Sequence, residues 1–201
     1  MYGLPQTTEI KKQLPKKAIF AKFNMPASQR ESFDADISRI DIVAVVSPST
    51  VPTVAPGENI KEFYVLAVQL KHKDYDAKNI AMLSRLIPQK MVIALHFEEQ
   101  VQFAISHTKL ITSKWQFLTP NSSFLTLQGL TLDSVWDNIV ISIGNIQVED
   151  GKSIAEQIMA DGQRAKLLTQ IATLERKMAN EKQPRRKREY FEQIKKLKSQ
   201  I

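Results

Sequence analysis

The chain contains no cysteine among its 201 residues, and this absence excludes several kinds of site at once. A disulfide scaffold, a zinc site built on thiolates and a cysteine nucleophile all require that residue. Glycine is scarce as well, and the six glycines stand singly. The sequence therefore has neither the G-x-x-x-x-G-K loop that cradles nucleotide phosphates nor the G-x-G-x-x-G turn of dinucleotide-binding folds.

Long apolar runs and a secretory signal are also absent from the sequence. No stretch approaches the roughly 18 consecutive apolar residues of a membrane span, and Met91–Phe97 and Ile139–Ile143 are far shorter. The first residues do not place a basic segment before an apolar one, as a secretory signal does. Together with the absence of cysteine, these features predict a cytoplasmic protein without a membrane contact.

Acidic residues are too few to balance the basic ones, since 28 Lys and Arg stand against 21 Asp and Glu. Residues 1–150 hold 15 basic and 15 acidic residues, so they carry no net charge. Residues 151–201 hold 13 basic and 6 acidic residues and carry the whole excess of +7. This last segment is also rich in helix-forming residues. We therefore predict a body over 1–150 and a basic helical appendage over 151–201.

The body alternates between strand and helix patterns. Apolar and β-branched residues predict strands over Ile40–Val46 and Phe63–Leu70, and Met91–Phe97 with Val101–His107 is typical of a β-hairpin. Apolar residues at helical spacing predict a helix over Leu132–Ile143. The order of the elements predicts an α+β fold with flanking helices and a mixed, mostly antiparallel sheet of about five strands.

Three further segments of the body have shorter patterns. Thr7 or Thr8 is a typical N-cap and predicts a short helix near the N-terminus. The apolar spacing over Ala77–Ile87 predicts a helix that Pro88 ends. Phe124–Leu127 is apolar and predicts one more short strand.

The appendage carries two apolar seams, each with the spacing of 4, 3 and 4 residues that is typical of packed helices. The seam residues are Leu167, Ile171, Leu174 and Met178, then Tyr190, Ile194, Leu197 and Ile201. The two seams are out of phase and Pro184 lies between them, so one straight helix cannot carry both. We predict a C-terminal antiparallel helical hairpin that turns around Lys182–Lys187, with the seams as a route to oligomers.

Basic residues cluster where this hairpin is expected to turn, and they are the candidate contacts to nucleic acid or another anion. The candidates are Lys182, Arg185, Arg186, Lys187 and Arg188. Three interpretations stay open at this point: a solvated turn whose charge aids solubility, a tip that contacts nucleic-acid phosphates, and docking on an acidic protein. No aromatic residue interrupts the run, so stacking on single strands is not predicted there.

The histidines of the chain do not indicate a metal centre. His72, His96 and His107 have no mutual spacing that is typical of metal ligands. We therefore expect no metal and no cofactor.

One pattern leaves a hydrolytic reaction open. A helix, a strand with Asp41, a strand that leads into Gln69-Leu70-Lys71, a helix and another strand follow one another in the order of a restriction-endonuclease-like core. Such cores need acidic groups to hold a divalent cation and a lysine near the scissile phosphate. Here Gln69 stands where an acidic residue is needed, so the catalytic candidates Asp41, Gln69 and Lys71 describe a degenerate core.

A series of short motifs in a fixed order resembles one protein family. The motifs are Leu4-Pro-x-x-Thr7, Leu14-Pro-Lys16, Ile37-x-x-Ile40, Ser47-Pro48, Gln69-Leu70-Lys71, Leu86-Ile87-Pro88, Leu130-x-Leu132-x-x-Val135-Trp136, Leu174-Glu175-x-Lys177 and Glu181-Lys182-Gln183. They resemble a bacterial domain-of-unknown-function family, number 4391, over essentially the whole chain. The resemblance implies that the gene accompanies genes for helicases and DNA methyltransferases in restriction-modification-like loci. It identifies no catalytic residue.

Together these features lead us to expect a non-enzymatic accessory or interaction protein of a bacterial DNA-processing or restriction-modification-like system. We expect it to act with a protein partner and to reach DNA through the basic hairpin. Two alternatives stay open, namely a metal-dependent nuclease that uses Asp41 and Lys71, and a purely structural coiled-coil partner protein.

Overall fold

The computed structural model describes residues 1–119 and 122–200, and the chain divides into two compact units, Met1–Ile146 and Gln147–Ile201. The predicted seam residue Ile201 lies outside the described residues. Among the described residues, no helix combines the length and the apolar character needed to cross a membrane.

A mixed β-sheet forms the centre of the first unit. Within the described residues the strands are β1 (Glu9–Gln13), β2 (Ile37–Val46), β3 (Phe63–Leu70), β4 (Lys90–Phe97), β5 (Gln100–Ser106), β6 (Leu110–Thr112) and β7 (Gln116–Phe117). They are ordered β1-β2-β3-β4-β5-β6, and β7 pairs with β5 beside β6. All neighbours are antiparallel except β3 and β4. The predicted α+β fold with a mixed, mostly antiparallel sheet is confirmed, although the sheet has seven strands in the described residues instead of about five.

Helices cover both faces of this sheet. They are α1 (Lys16–Lys22), α2 (Ala27–Asp36), α3 (Ala77–Leu83) and α4 (Leu132–Gly144). Side chains of the first three helices, such as Phe33 and Ile80, form a buried core with Leu66 of β3. The ring of Trp136 in α4 packs edge-on at 5.5 Å against that of Phe63. Because successive side chains of a strand point to opposite faces of the sheet, Phe63 and Leu66 lie on opposite faces.

The structure corrects all three of the shorter predictions. The helix predicted over Ala77–Ile87 is shorter, because α3 ends at Leu83, five residues before Pro88, so the proline does not end it. The threonines near the N-terminus cap no α-helix, because Thr8 is buried at the end of a three-residue 3₁₀ turn and its hydroxyl donates to the Pro5 carbonyl at 2.7 Å. The next residues form the edge strand β1. Phe124–Leu127 is not a strand, because the N–H groups of Phe124 and Leu125 both donate to the carbonyl of Tyr2.

The second unit is the predicted antiparallel helical hairpin, with α5 (Ile154–Asn180) and α6 (Pro184–Lys198). The Ser153 side chain accepts a hydrogen bond from the Glu156 N–H, and the Glu156 carboxylate accepts one from the Ser153 N–H, so a capping box begins α5. The turn is shorter than predicted and comprises only Glu181–Gln183. Pro184 begins α6 instead of lying in the turn, because the first helical position needs no N–H donor.

The seams of both helices lie inside the hairpin. Ile171 and Ile194 are buried. The other described seam residues are half-buried, namely Leu167, Leu174, Met178, Tyr190 and Leu197. Lys198 near the end of α6 donates to Glu175 of α5 at 2.9 Å, which adds a polar contact between the two helices. Each helix therefore covers the apolar side of the other within one chain.

Candidate functional site

The basic run of the hairpin forms the first turn and a half of α6. Arg185, Arg186, Lys187 and Arg188 follow one another in this helix, so they point in four directions about 100° apart around its axis. All four are exposed, and the Arg185 side chain reaches 94% exposure. The tip of the hairpin is therefore surrounded by guanidinium and ammonium groups; we call these four residues the basic collar.

The turn before the basic collar is held by a carboxylate that does not neutralise the charge of the collar. The Glu181 carboxylate accepts hydrogen bonds from the N–H groups of Lys182 and Gln183, both at 2.9 Å. Lys182 itself is exposed next to the collar. Glu181 thus fixes the path of the backbone from α5 into α6.

The electrostatics of the collar are unfavourable in the protein alone. Arg185 has a carboxylate partner, Glu189 one turn further on at 3.6 Å, and within residues 1–119 and 122–200 no ion pair involves Arg186, Lys187 or Arg188. The first turn of α6 contains no acidic residue. Because the amino end of a helix carries a partial positive charge, four cations there repel both one another and the helix dipole. A bound anion would relieve both repulsions.

The structure brings together two of the three predicted nuclease residues. Asp41 of β2 and Gln69 of β3 line one groove of about 490 Å3 on a face of the sheet, together with His96 of β4. The Asp41 carboxylate is already engaged, because Arg39 donates to its two oxygens at 2.7 Å and 2.9 Å. Asp41 therefore acts as an ion-pair partner here.

Lys71, the third predicted nuclease residue, does not line this groove. Its backbone N–H donates to the Asp36 carbonyl at 2.8 Å, and its ammonium group donates to the Asp34 carbonyl at the end of α2. In the described part of the chain, no group of three His, Cys, Asp or Glu side chains is placed to hold a metal ion. The groove thus offers a divalent cation such as Mg²⁺ one carboxylate that is already engaged and one amide.

A polar pair at this groove, with Tyr2 buried and His96 half-buried, was not predicted from the sequence. The Tyr2 hydroxyl lies 2.5 Å from Nε2 of His96. Burial raises the pKa of Tyr2 and lowers the pKa of His96, so both groups are neutral at neutral pH. The two residues lie far apart in the sequence, and no local pattern links them. Only the tertiary fold brings them together.

Comparison with known proteins gives one match, which covers nearly the whole chain. The model of a family described as Domain of unknown function (DUF4391) matches residues 2–201. No curated protein and no solved structure matches significantly. The match includes both compact units and every candidate residue discussed above. The chain therefore belongs to the DUF4391 family.

Proposed function

We propose that this protein is a non-enzymatic accessory or interaction protein of a bacterial DNA-processing or restriction-modification-like system, and that it contacts duplex DNA through the basic collar. The observation that carries the proposal is the concentration of four exposed cations around the amino end of α6, with one carboxylate partner among them in the described residues. DNA phosphates are anions in a regular array that such a tip can meet.

The hairpin is suited to present these cations as a unit. Its seams are packed between α5 and α6, so the collar is fixed to a folded support. Arginine predominates in the collar, and its planar guanidinium can donate two parallel hydrogen bonds to one phosphate. Such contacts carry no sequence information, so the proposed role is sequence-independent binding with specificity supplied by a protein partner.

The experiment measures duplex DNA binding by the full chain as a function of salt concentration. If all four collar residues contact phosphates, the logarithm of the association constant falls with the logarithm of salt with a slope of about −3 to −4. Replacement of Arg185, Arg186, Lys187 and Arg188 by alanine should remove most of that slope. Equal DNA affinity of the wild type and the variant, or wild-type binding that does not depend on salt concentration, would reject the collar as a DNA contact.

A matched control removes four other exposed cations from the same hairpin. The control residues are Arg164, Lys166, Lys195 and Lys196, and they lie away from the turn. Their replacement by alanine changes the net charge by the same amount. We expect the control variant to keep most of the affinity for duplex DNA, because the contact depends on where the positive charge lies in the hairpin.

The nuclease alternative retains one supporting observation. The predicted order of helix and strands is present as α2, β2, β3, α3 and β4, and Asp41 and Gln69 share one groove. Cleavage of DNA that requires a divalent cation and disappears in both Asp41→Asn and Lys71→Ala would favour the nuclease over the accessory role. Cleavage that persists in both variants would exclude these residues as its origin.

A further inference from the structure

A second basic surface lies on the first unit, although residues 1–150 have no net charge. A groove of about 500 Å3 is found where β4 begins and β5 ends. Its lining residues are Lys22, Ser84, Arg85, Ile87, Pro88, Gln89, Lys90, Met91, Ser106 and His107. Three of them are cations and none is acidic. We call this surface the basic groove.

The cations of the basic groove come from three separate parts of the chain. Lys22 ends α1, Arg85 follows α3, and Lys90 begins β4. All three are exposed, and in the described residues none of them takes part in an ion pair within 4.0 Å. Three cations that line one groove, with Asp137 acting on Lys90 only from beyond ion-pair distance, favour a ligand with more than one negative charge.

His107 also lines the basic groove. Its Nδ1 atom is buried and has no hydrogen-bond partner within residues 1–119 and 122–200. Burial and the nearby Lys90 lower the pKa of His107, while Asp137 acts in the opposite direction. The lowered pKa favours the neutral imidazole at neutral pH, so His107 adds no charge to the groove.

An apolar recess of about 190 Å3 adjoins the basic groove. It is lined by Leu14, Pro15, Ala18, Ile19, Lys22, Ile42, Leu66, Leu86, Ile87 and Met91. Lys22, Ile87 and Met91 line both spaces, so the groove and the recess are adjacent. Lys22 can therefore lie with its alkyl chain along the apolar recess while its ammonium group stays in the basic groove.

This combination of a polycationic half and an apolar half defines the ligand chemistry. The ligand must carry a multiply charged anion at one end and an apolar or aromatic ring at the other. We propose that the basic groove and its recess bind a nucleotide, free or at the end of a nucleic-acid strand, with its phosphates on Lys22, Arg85 and Lys90. The base occupies the apolar recess. Side chains hold the phosphates here, which explains why the sequence needs no glycine-rich loop.

The experiment titrates the full chain with ATP, adenosine, inorganic pyrophosphate, and an oligonucleotide with and without a 5′-phosphate, by isothermal calorimetry. We expect ATP to bind more tightly than either adenosine or pyrophosphate, because only ATP fills both halves. Preference for the 5′-phosphorylated oligonucleotide over ATP would identify the strand end as the source of the nucleotide. Failure of ATP and of the phosphorylated oligonucleotide to bind would overturn the proposal.

Two variants test the two halves separately. Loss of Lys22, Arg85 and Lys90 by replacement with alanine should weaken ATP and pyrophosphate binding by about tenfold or more, the usual effect of removing charged hydrogen bonds. Ala18 is exposed and lines only the recess. Ala18→Trp should therefore weaken ATP binding and leave pyrophosphate binding unchanged. Unchanged ATP binding in either variant would contradict the assignment of that half.

Matched controls distinguish the groove from general charge and from the basic collar. Lys12, Lys78 and Lys114 are exposed cations of the first unit that line neither space, and their replacement by alanine should not affect ATP binding. The fourfold alanine variant of the basic collar should likewise bind ATP as the wild type does. Loss of ATP binding in the three-lysine control would show that net charge, and not the groove, is responsible.

Discussion

Asp133 shows at the residue scale how one carboxylate organises a loop. It lies in the first turn of α4 and accepts hydrogen bonds from the backbone N–H groups of Glu58 at 2.8 Å, Asn59 at 3.1 Å and Ile60 at 2.8 Å. Gly57 is required beside it, because a Cβ atom there would lie 2.8 Å from the Asp133 backbone nitrogen. These bonds, led by the one from Asn59, lower the pKa of Asp133.

The lowered pKa of Asp133 predicts a pH-dependent contribution to stability. A carboxylate whose pKa is lower in the folded than in the unfolded chain stabilises the fold above its unfolded pKa, and this effect disappears as pH falls through the folded value. We expect Asp133→Asn to lower the melting temperature at neutral pH. The difference from the wild type should shrink in acid. Thermal unfolding followed by circular dichroism from neutral pH downwards measures both effects.

Asp137, one turn further along α4, is the matched control. Burial raises its pKa, and the nearby Asp133 acts in the same direction. Its ionised form is therefore disfavoured in the folded state, so Asp137→Asn should not lower the melting temperature at neutral pH and can raise it. If the two variants were destabilised equally, the three backbone hydrogen bonds would not explain the effect of Asp133.

The helical hairpin is the element that most depends on a few apolar side chains. Its two helices are amphipathic and mostly polar, and within the described residues the most buried seam side chains are Ile171 and Ile194, at 4% and 5% exposure. Helices of this kind are marginally stable when isolated, and in a protein they gain most of their stability from packing. The support for the basic collar thus depends on a short apolar contact.

We expect Ile171→Ala or Ile194→Ala to destabilise the hairpin by about 2–5 kcal/mol, the usual cost of truncating a buried isoleucine. Urea unfolding followed by far-ultraviolet circular dichroism measures the change. Leu168 and Phe191 flank the seams but are 51% and 54% exposed. Their replacement by alanine should have little effect, and a loss as large as that of Ile171→Ala would mean that the seam is not the stabilising contact.

At the scale of the whole molecule, the distribution of charge is more informative than its total. The excess of basic residues lies in residues 151–201, and the collar concentrates four of them. The first unit has almost equal numbers of both signs, yet three cations converge on the basic groove without an acidic lining residue. A balanced composition therefore conceals a local positive surface.

The purely structural alternative makes a different prediction at this scale. If the protein were a coiled-coil partner, its seams would join helices of different chains. In the structure, the seams are packed between α5 and α6 of one chain. We therefore expect sedimentation equilibrium to give the same mass for the wild type and for Ile194→Ala. A wild-type oligomer that dissociates in this variant would support the structural alternative.

Much of the local structure could be predicted from the sequence. Phe63–Leu70 is a strand over the predicted residues, and the predicted β-hairpin and the helix from Leu132 are present with ends shifted by a residue or two. These elements have strong apolar periodicity, which depends only on neighbours along the chain. The edge strand β1 escaped prediction because its residues are polar, and they form a strand only by pairing with β2.

The sequence by itself determined the two-part charge distribution, the α+β class and the helical hairpin with its cations near the turn, because composition and periodicity act locally. Only the tertiary structure decided which side chains meet. It separated Lys71 from Asp41 and paired Tyr2 with His96. It also brought Lys22, Arg85 and Lys90 to one groove. The physical reason is that these contacts depend on how strands, helices and loops distant in sequence pair and pack, which no local pattern encodes.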